Sequence, residues 1–423
     1  MVGGWVQLRL PEEFDKLFLD EVLIDPRTGT PMEMDGYSAY LALKAIEIKT
    51  GRSFRQERTR LLDAVIRRLD DVEPPFSHGA YTGSAREVHM RMTAAAVRLL
   101  GEAFTEGLLS SLEPLVRAVR YLFSFSDRLS VGTWFLHDSL EVAATGISYP
   151  FRRTKNKAWG SSLENNLVLN THLDTLTTGI HILPLLPVND AIWLTENIES
   201  GITALKAVLD TRAFIWRVVS PIDSLARSFI FHTYGRNFRG AYRLRRAIEF
   251  ILGRFRSRWP SFVMKDGYLE RDIGLLDKNY GYHLVNIYDL TRFAHKLRTS
   301  VFSYNMELIG KCELIADRGI DYAIDGPYWR YVARTDKMAM LLCEAILSRL
   351  SYLSDEVPRQ NWIRAYCDVR RRVAPTPALL GYDPLIGRIG GEISAGSQRE
   401  DLITLVDGRR LKIKPAINSF AWI

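Results

Sequence analysis

The sequence predicts a mainly α-helical protein that ends in a short β segment. Helical periodicity dominates most of the chain, as in residues 61–69, where leucine, valine and isoleucine recur on one face of a helix. Near the C-terminus, two alternating apolar runs flank Asp407-Gly408, a dipeptide typical of the tight turn between two antiparallel strands. These two patterns divide the chain into a long helical part and a short β part.

Proline and glycine separate the predicted helices at a regular spacing. We expect helices at 86–123 (two helices joined near Gly107), 163–183, 196–210, 241–256, 284–298, 300–316 and 336–352. No repeat at the level of the sequence accompanies this spacing. The domain prediction is a helical domain at 1–372, followed at 373–423 by a linker and a short β tail. The tail either packs on the helical body or begins a β-sandwich, because so short a β segment cannot form a core alone.

The composition is that of a folded globular protein with a basic balance. The 423 residues are 47% hydrophobic and 25% charged, which excludes disorder as the dominant state. The net charge of +7 favours anionic partners, namely nucleic acid, anionic lipid or an acidic polysaccharide. The densest basic groups, 254–258 and 370–372, indicate solvated faces rather than phosphate-binding stripes.

Cysteine usage and hydropathy exclude several protein classes. Cys312, Cys343 and Cys367 are too far apart in sequence for a zinc motif or a disulfide framework. No apolar run reaches the length of about 18 residues that a transmembrane helix needs, so no transmembrane segment is predicted. Residues 1–20 lack the pattern of a signal peptide. These observations leave a cytosolic protein and an exported protein without its export or anchor segment as alternatives.

Four segments concentrate more polar and aromatic side chains than an amphipathic helix needs. They are residues 132–141, 161–174, 266–283 and 321–334. Structural interpretations stand beside the functional ones: Asn165 and Asn166 as helix caps, His172 and Asp174 as a core pair, Tyr280 as a packed turn residue, and Arg330 and Arg334 as a basic stripe. Residues of metal-ligand type occur at His137, His172, Asp174 and His283. No metal-binding spacing accompanies them, so neither a metal nor a cofactor is predicted.

The order of these segments resembles the hyaluronate and chondroitin lyase family of polysaccharide lyases. Thr133-Trp134-Phe135 is similar to the family's Asn-Trp-Trp stretch, and Leu163-Glu164-Asn165 resembles its Gly-x-Asn helix start. Asp266-Gly267 and Tyr280-Gly281 are similar to the two ends of its third motif, and Arg330 and Arg334 to its paired arginines. The likeness spans roughly residues 85–340 and rests on shared order and spacing.

The resemblance implies an incomplete (α/α) toroid with a short C-terminal β segment. It also implies β-elimination on a uronic acid-containing polysaccharide such as hyaluronan or chondroitin. On this basis Asn165 clamps the substrate carboxylate, and Tyr280 is the base and then the acid. Arg330 and Arg334 orient the substrate and lower the pKa of the tyrosine. The expected substrate-binding residues are Trp134, stacked on a sugar face, and Asp272, His283 and Trp329.

The chain departs from the family pattern at two points. Asp272 stands where the family has a histidine, and its carboxylate would repel that of the substrate. Either the site is weakened, or His172 or His283 reaches it from another helix. The family's large C-terminal β-sandwich is absent or reduced to the tail. The stretch 321–330 is similar to a branch found as envelope proteins of large insect DNA viruses, which implies an extracellular or virion-associated location.

Three alternatives to an active lyase follow from the same residues. The first is a catalytically inactive descendant that binds polysaccharide or serves as a virion structural protein. The second is a hydrolase or epimerase with paired carboxylates such as Asp138 and Glu164, which would lie about 5–10 Å apart. The third is nucleic-acid binding, which the charge alone favours and no motif supports. The expected partner is therefore an acidic polysaccharide and not nucleic acid.

Overall fold

A computed structural model of the chain is mainly helical, with a small sheet near the C-terminus. The structure describes residues 10–24, 31–78, 86–141, 159, 165–210, 261–264, 266–272, 280–326, 329, 336–352, 359–372, 382–393 and 400–422, together with residues 225, 243, 244, 247, 250, 251, 254, 258 and 259. The predicted combination of a mainly α chain and a short C-terminal β segment is confirmed.

The described part of the chain contains ten α-helices and eight β-strands. The helices are α1 (Glu33–Thr50), α2 (Arg55–Asp70), α3 (Met90–Thr105), α4 (Glu113–Ser124), α5 (Leu169–Ile182), α6 (Val188–Leu209), α7 (Tyr280–Arg298), α8 (Met306–Asp325), α9 (Asp336–Leu350) and α10 (Gln360–Arg370). The strands are β1 (Phe18–Leu19), β2 (Val22–Leu23), β3 (Ser126–Leu129), β4 (Gly132–Phe135), β5 (Arg388–Ile393), β6 (Asp401–Leu405), β7 (Arg410–Lys414) and β8 (Ser419–Trp422). β1 pairs with β2, β3 pairs with β4, and β5–β8 form one antiparallel sheet in sequence order.

The helices pack in two rows. Each odd-numbered helix packs on the even-numbered helix that follows it, and the odd helices also pack on one another in the series α1, α3, α5, α7, α9. α3 and α5 are buried around almost their whole circumference, as expected for inner helices. α4 buries only a stripe on one side, typical of an outer helix: Leu115, Ala118, Val119, Leu122 and Phe123. We call the odd helices the inner row and the even helices the outer row.

The helix boundaries confirm some predictions and correct others. The two helices expected in 86–123 are α3 and α4, and Gly107 between them has a φ of +69°. α6 begins at Val188 instead of 196, because Pro187 caps it in an extended conformation. α7 begins four residues earlier than expected, and α8 runs from 306 to 325 instead of from 300 to 316. None of the helices that the structure describes is long and apolar enough to span a membrane.

A buried histidine joins three elements in the middle of the chain. His172 on α5 accepts a hydrogen bond at Nδ1 from the Phe135 amide at the end of β4, at 3.0 Å. Its Nε2 donates to the Gly201 carbonyl on α6, at 3.2 Å, and the Trp134 ring stacks on the imidazole with centroids 3.9 Å apart. Burial lowers the pKa of His172 to about 3, so the ring is neutral and both nitrogens bond to backbone.

The same arrangement recurs in the next part of the chain. His283 on α7 accepts at Nδ1 from the Leu269 amide, at 2.9 Å, and donates from Nε2 to the Gly319 carbonyl on α8, at 3.1 Å. Leu269 pairs with Val263 across a hairpin-like turn. The Tyr268 ring stacks on His283 with centroids 5.2 Å apart, as Trp134 does on the first histidine.

Glycines allow the close approach of backbone in both places. Gly132, with a φ of +130°, has no room for a Cβ against the Ser200 carbonyl, and Gly267, with a φ of +95°, has none against the Arg318 carbonyl. Each of these carbonyls belongs to the residue just before the glycine that binds the histidine. The protein therefore contains an internal repeat: a hairpin, an inner helix and an outer helix. We call β3–β4, α5 and α6 the first unit, and residues 262–270, α7 and α8 the second unit.

Buried charges join the inner helices to one another. Asp174 on α5 accepts from Arg98 on α3 at 2.9 Å, and Asp289 on α7 pairs with Arg91 on α3. Burial raises the pKa of Asp289, opposed by Arg91. Burial also favours a higher pKa for Asp174, but the positive charges of Arg98, Arg91 and Arg292 outweigh this effect and lower the pKa of that carboxyl. Ion pairs therefore tie the inner row together across helices that are distant in sequence.

The segment before the C-terminal sheet is anchored on the inner row. Tyr382 donates to Glu102 on α3 at 3.3 Å, and Asp383 accepts from the Tyr288 hydroxyl on α7 at 3.0 Å. At the start of β5, Arg388 lies 3.6 Å from Glu344 on α9. β5 and these contacts lie within 373–423, the stretch predicted to be a linker and a short β tail. The β tail packs on the helical body because this segment holds it there.

A second anchor joins the sheet to α10 and corrects one prediction. Arg370 is 1% exposed and donates from Nε and Nη2 to the Asp401 carboxylate on β6, at 2.8 and 2.9 Å. Tyr366 donates to the same carboxylate at 2.7 Å. The prediction that 370–372 form a solvated face is therefore wrong for Arg370. The hairpin predicted around Asp407-Gly408 is confirmed as β6–β7.

Replacement of Asp401 tests the anchor on α10. Asp401→Asn removes the carboxylate that pairs with the buried Arg370 guanidinium, so we expect the free energy of unfolding to fall by about 3–5 kcal/mol. The control Asp407→Asn removes an exposed ion pair with Arg409 and should cost at most about 1 kcal/mol. Urea denaturation of both variants measures the difference. Equal losses in the two variants would contradict this account of the anchor.

Glu344 makes stability depend on pH. Burial, opposed by Arg388, raises the pKa of Glu344 to about 7 from an ordinary value of 4.5. The folded protein then binds this proton more tightly than the unfolded chain, so its stabilising effect is complete below about pH 4.5 and is lost as pH rises through 7. We expect the free energy of unfolding to decline over this window and the decline to shrink in Glu344→Gln. Glu307→Gln, at an exposed position, should keep the full decline, and an unchanged decline in Glu344→Gln would refute the assignment.

Candidate functional site

The two repeated units place the residues after their hairpins beside the inner helices. The His137 carbonyl accepts from the Met90 amide at the start of α3, at 3.0 Å. The Arg271 carbonyl accepts from the Leu169 amide at the start of α5, at 2.9 Å. His137 and Arg271 each lie two residues beyond the amide that binds the buried histidine of their unit. The candidate site therefore forms where the N-terminal ends of the inner helices meet the segments that follow the hairpins.

His137 has a defined tautomer. Its Nε2 lies 2.7 Å from Nη2 of Arg271, and its Nδ1 lies 2.6 Å from the Thr171 hydroxyl on α5. A guanidinium only donates, so Nε2 accepts and the ring proton sits on Nδ1, where it donates to Thr171. The imidazole thus holds a lone pair directed at a cation.

Two further histidines continue a row of ring contacts that begins at His137. The His89 ring, at the N-cap of α3, has its centroid 4.3 Å from that of His137, and the His78 ring lies 6.1 Å from that of His89. His89 accepts at Nδ1 from the Arg91 amide at 3.2 Å. Burial holds the pKa of His89 well below its ordinary value, and it lowers the pKa of His78 to about 4 against the opposing effect of Glu87. These two histidines are therefore neutral at neutral pH.

Two arginines lie at the site, and each has an acidic neighbour: Asp272 beside Arg271 and Asp289 beside Arg91. The Arg271 guanidinium lies 4.4 Å above the ring centroid of Tyr282 and retains 12% side-chain exposure. Arg91 donates to the Asn170 carbonyl at 3.0 Å and retains 13% side-chain exposure. The Asn170 side chain is buried, and its Oδ1 has no hydrogen-bond partner among the described residues. The site therefore brings a guanidinium, an aromatic ring and an imidazole together, with Arg91 and Asn170 in the first turns of the adjoining inner helices.

The side chain of Asn165, the residue predicted to bind the substrate carboxylate, makes hydrogen bonds within the protein. Asn165 is fully buried, donates from Nδ2 to Asp127 at 2.9 Å, and accepts at Oδ1 from the Leu167 amide at 2.7 Å. It is not the cap of α5, because Val168 occupies that position and makes no side-chain cap. In this structure Asn165 fixes the turn before α5.

Two of the predicted substrate-binding residues lie in the core. Trp134 is fully buried against His172, so it presents no face to a sugar in this structure. His283 is fully buried, with both nitrogens on backbone groups. His172, the alternative histidine, is held in the same way. None of these three reaches the candidate site as a free ligand-binding group, because each is used to join elements of its unit.

Asp272 and Trp329 are the other residues predicted to bind substrate. Asp272 is buried, and its carboxylate lies 3.7 Å from Nε of Arg271. Asp272 and Asp138 have equivalent positions in the two units, because each lies three residues after the amide that binds the buried histidine. Asp138 is also buried. Trp329 is half-buried and packs against the core. Asp272 adjoins the candidate site through Arg271.

The remaining predicted residues are described in part or not at all. Tyr280 begins α7, but its side chain lies outside the described part of the chain. Arg330, Arg334 and Glu164 lie outside the described residues. Of the four predicted catalytic residues, Asn165 is therefore the one whose side chain the structure places.

Sequence reasoning missed the pairing of His137 with Arg271. His137 and Arg271 lie in the polar segments 132–141 and 266–283, and Tyr282 lies in the second of these without a predicted role, whereas His89 and Arg91 lie outside all four segments. The repeated Gly-aromatic hairpins, followed by a histidine on the next inner helix, are a signal that could have located the two equivalent positions. Among the described residues, no three His, Cys, Asp or Glu side chains are arranged to hold a metal ion.

Comparisons with family models, with curated proteins and with solved structures found no match. The geometry of the described residues therefore carries the functional argument.

The hydrogen bonds of His137 predict its tautomer in solution. In the protein labelled with ¹⁵N-histidine, we expect His137 at pH 7 to carry its proton on Nδ1, because Arg271 occupies Nε2. Arg271→Met should remove this fixed preference, while Arg128→Met, at an exposed position, should leave it unchanged. Long-range ¹⁵N–¹H correlations, assigned with a His137→Gln variant, measure the tautomer. A proton on Nε2 in the unaltered protein would contradict the hydrogen-bond scheme.

Proposed function

We propose that the protein is a polysaccharide lyase that cleaves an acidic polysaccharide, such as hyaluronan or chondroitin, by β-elimination at a uronic acid. The observation that carries the proposal is the contact between the Arg271 guanidinium and Nε2 of His137. It sets a cation that can neutralise a carboxylate beside a nitrogen that can accept a proton. These are the two groups that removal of the C5 proton of a uronic acid requires.

The fold that we propose for this activity is an incomplete (α/α) toroid. Support comes from the inner row, in which five successive odd helices pack side by side, each backed by the next helix of the chain. The candidate site lies at the N-terminal ends of α3, α5 and α7. Amide groups there point out of the helices, so the helix dipoles add to the attraction of an anionic substrate.

The substrate carboxylate is the first group that the site must bind. The C5 proton is weakly acidic because the neighbouring carboxylate is already negative. Arg271 can donate two parallel hydrogen bonds to that carboxylate. When Arg271 turns from His137 to the substrate, the lone pair of Nε2 becomes available as a base.

The elimination then moves one proton to His137 and one to the leaving oxygen. His137 Nε2 takes the C5 proton, and the electron pair of the C5–H bond forms the C4–C5 double bond. The C4–O4 bond breaks, and the departing oxygen takes the phenolic proton of Tyr282. Thr171 holds the Nδ1 proton of the imidazolium, and the phenolate recovers a proton from solvent or from His137, which restores the site.

We also propose roles for the four residues to which the resemblance assigns a catalytic function. Tyr280 is an alternative acid for the leaving oxygen, next but one to Tyr282 on the same helix. Arg330 and Arg334 are proposed to bind further carboxylates or sulfates along the polymer. Asn165 acts indirectly, since it positions the turn before α5.

A second candidate function is polysaccharide binding without turnover, as in a virion structural protein. Asp272 favours it, because its carboxylate lies beside Arg271 and competes with the substrate for that guanidinium. An extracellular or virion-associated location fits either function and is part of the proposal.

The lyase proposal predicts an activity that depends on His137. The unsaturated product absorbs in the ultraviolet, so hyaluronan, chondroitin and alginate can be tested directly. His137→Gln should lower kcat by about 10²- to 10⁴-fold, the usual contribution of a general base. His295→Gln, at the opposite end of α7, should change it by no more than a few-fold.

The outcomes separate the two candidate functions. Equal activity of the His137 and His295 variants would remove His137 from the mechanism. Binding of the polymers without any ultraviolet signal would reject the lyase and support the binding protein.

A further inference from the structure

One basic segment accounts for the charge of the whole protein. Residues 236–259 contain eight arginines and one glutamate, which give +8 − 1 = +7, the net charge of the full chain. The same segment contains five aromatic residues: Phe238, Tyr242, Phe250, Phe255 and Trp259. The remainder of the chain is therefore neutral overall, and its attraction for anions is concentrated here.

The described residues of this segment expose apolar and basic side chains together. Arg243, Leu244, Ala247, Phe250, Ile251, Arg254 and Arg258 are helical and exposed. Leu244, Phe250 and Ile251 are 51, 59 and 63% exposed. The Arg254 guanidinium lies 4.4 Å over the Phe250 ring, so charge and apolar surface adjoin. We call these seven residues the basic apolar face.

Exposure of this face to water is energetically unfavourable. Exposing Leu, Phe and Ile on neighbouring turns forgoes about 1.5–3 kcal/mol of burial for each side chain. The solvent-facing side of a helix ordinarily carries polar side chains at these positions. Arginines beside exposed aliphatic and aromatic side chains are instead typical of helices that lie in the membrane interface.

We propose that the basic apolar face binds the surface of a membrane that contains anionic phospholipids. The arginines contact lipid phosphates, and Leu244, Phe250 and Ile251 enter the boundary between headgroups and acyl chains. An acidic polysaccharide or a nucleic acid would use the arginines, but neither would bury the aliphatic side chains. The proposed attachment is peripheral, with the face lying in the plane of the interface. The face uses none of the residues of the candidate site, so the proposal does not rest on the lyase activity.

Vesicle binding of the full chain tests the proposal. Co-sedimentation should show binding to phosphatidylcholine vesicles that contain phosphatidylserine, and at least tenfold weaker binding to phosphatidylcholine alone. Phe250→Ser with Ile251→Ser should weaken the binding at least tenfold, and so should Arg254→Glu with Arg258→Glu. Circular dichroism and thermal unfolding establish that each variant is folded.

Matched control variants carry the same types of substitution at exposed positions outside the basic apolar face. Val188→Ser with Ile192→Ser changes two exposed apolar residues on α6, which are 75 and 56% exposed, and Arg52→Glu with Arg55→Glu reverses two exposed charges. Both controls should bind within about twofold of the unaltered protein. Unchanged vesicle binding by the Phe250 and Ile251 variant would overturn the proposal. Loss of hyaluronan or RNA binding by the Arg254 and Arg258 variant, with no vesicle binding by the unaltered chain, would identify a polymer-binding face instead.

Discussion

The hydrogen bonds of two buried histidines set the geometry on which the rest of the site depends. His172 and His283 each accept from the end of a hairpin and donate to a glycine carbonyl of an outer helix. A neutral imidazole suits this task, because it satisfies one buried donor and one buried acceptor without bringing a charge into the core. Each histidine therefore fixes a hairpin, an inner helix and an outer helix relative to one another.

The repetition of this unit explains how the candidate site forms. His137 and Arg271 have equivalent positions in their units, and each bonds through its carbonyl to the first turn of a neighbouring inner helix. The two side chains then meet at 2.7 Å. Asp138 and Asp272 follow at the next equivalent position, and both are buried. An aspartate at 272 is thus a feature of the repeated unit, and the histidine of the site comes from the other unit.

Periodicity predicted the helical part, and an Asp-Gly turn predicted the β6–β7 hairpin, because both signals are local. The sequence does not predict the β3–β4 hairpin, because its strands are four residues long and show no alternation of apolar and polar side chains. The inner helix α5 buries polar residues such as Asn170 and Asp174, so its pattern does not separate a core face from a solvent face. The contact between residues 137 and 271 depends on the packing of two units, and no local pattern contains it. In the structure Trp134 and Asn165 are fully buried, a placement that the motif resemblance does not indicate.

The central claim is that Arg271 leaves His137 to bind the carboxylate of a uronic acid. A crystal structure of the protein with a bound hyaluronan oligosaccharide, solved with the His137→Gln variant to prevent cleavage, tests it most directly. The account predicts a substrate carboxylate within hydrogen-bond distance of the Arg271 guanidinium, with C5 facing the side chain at 137. An oligosaccharide bound away from the N-terminal ends of α3, α5 and α7 would contradict it.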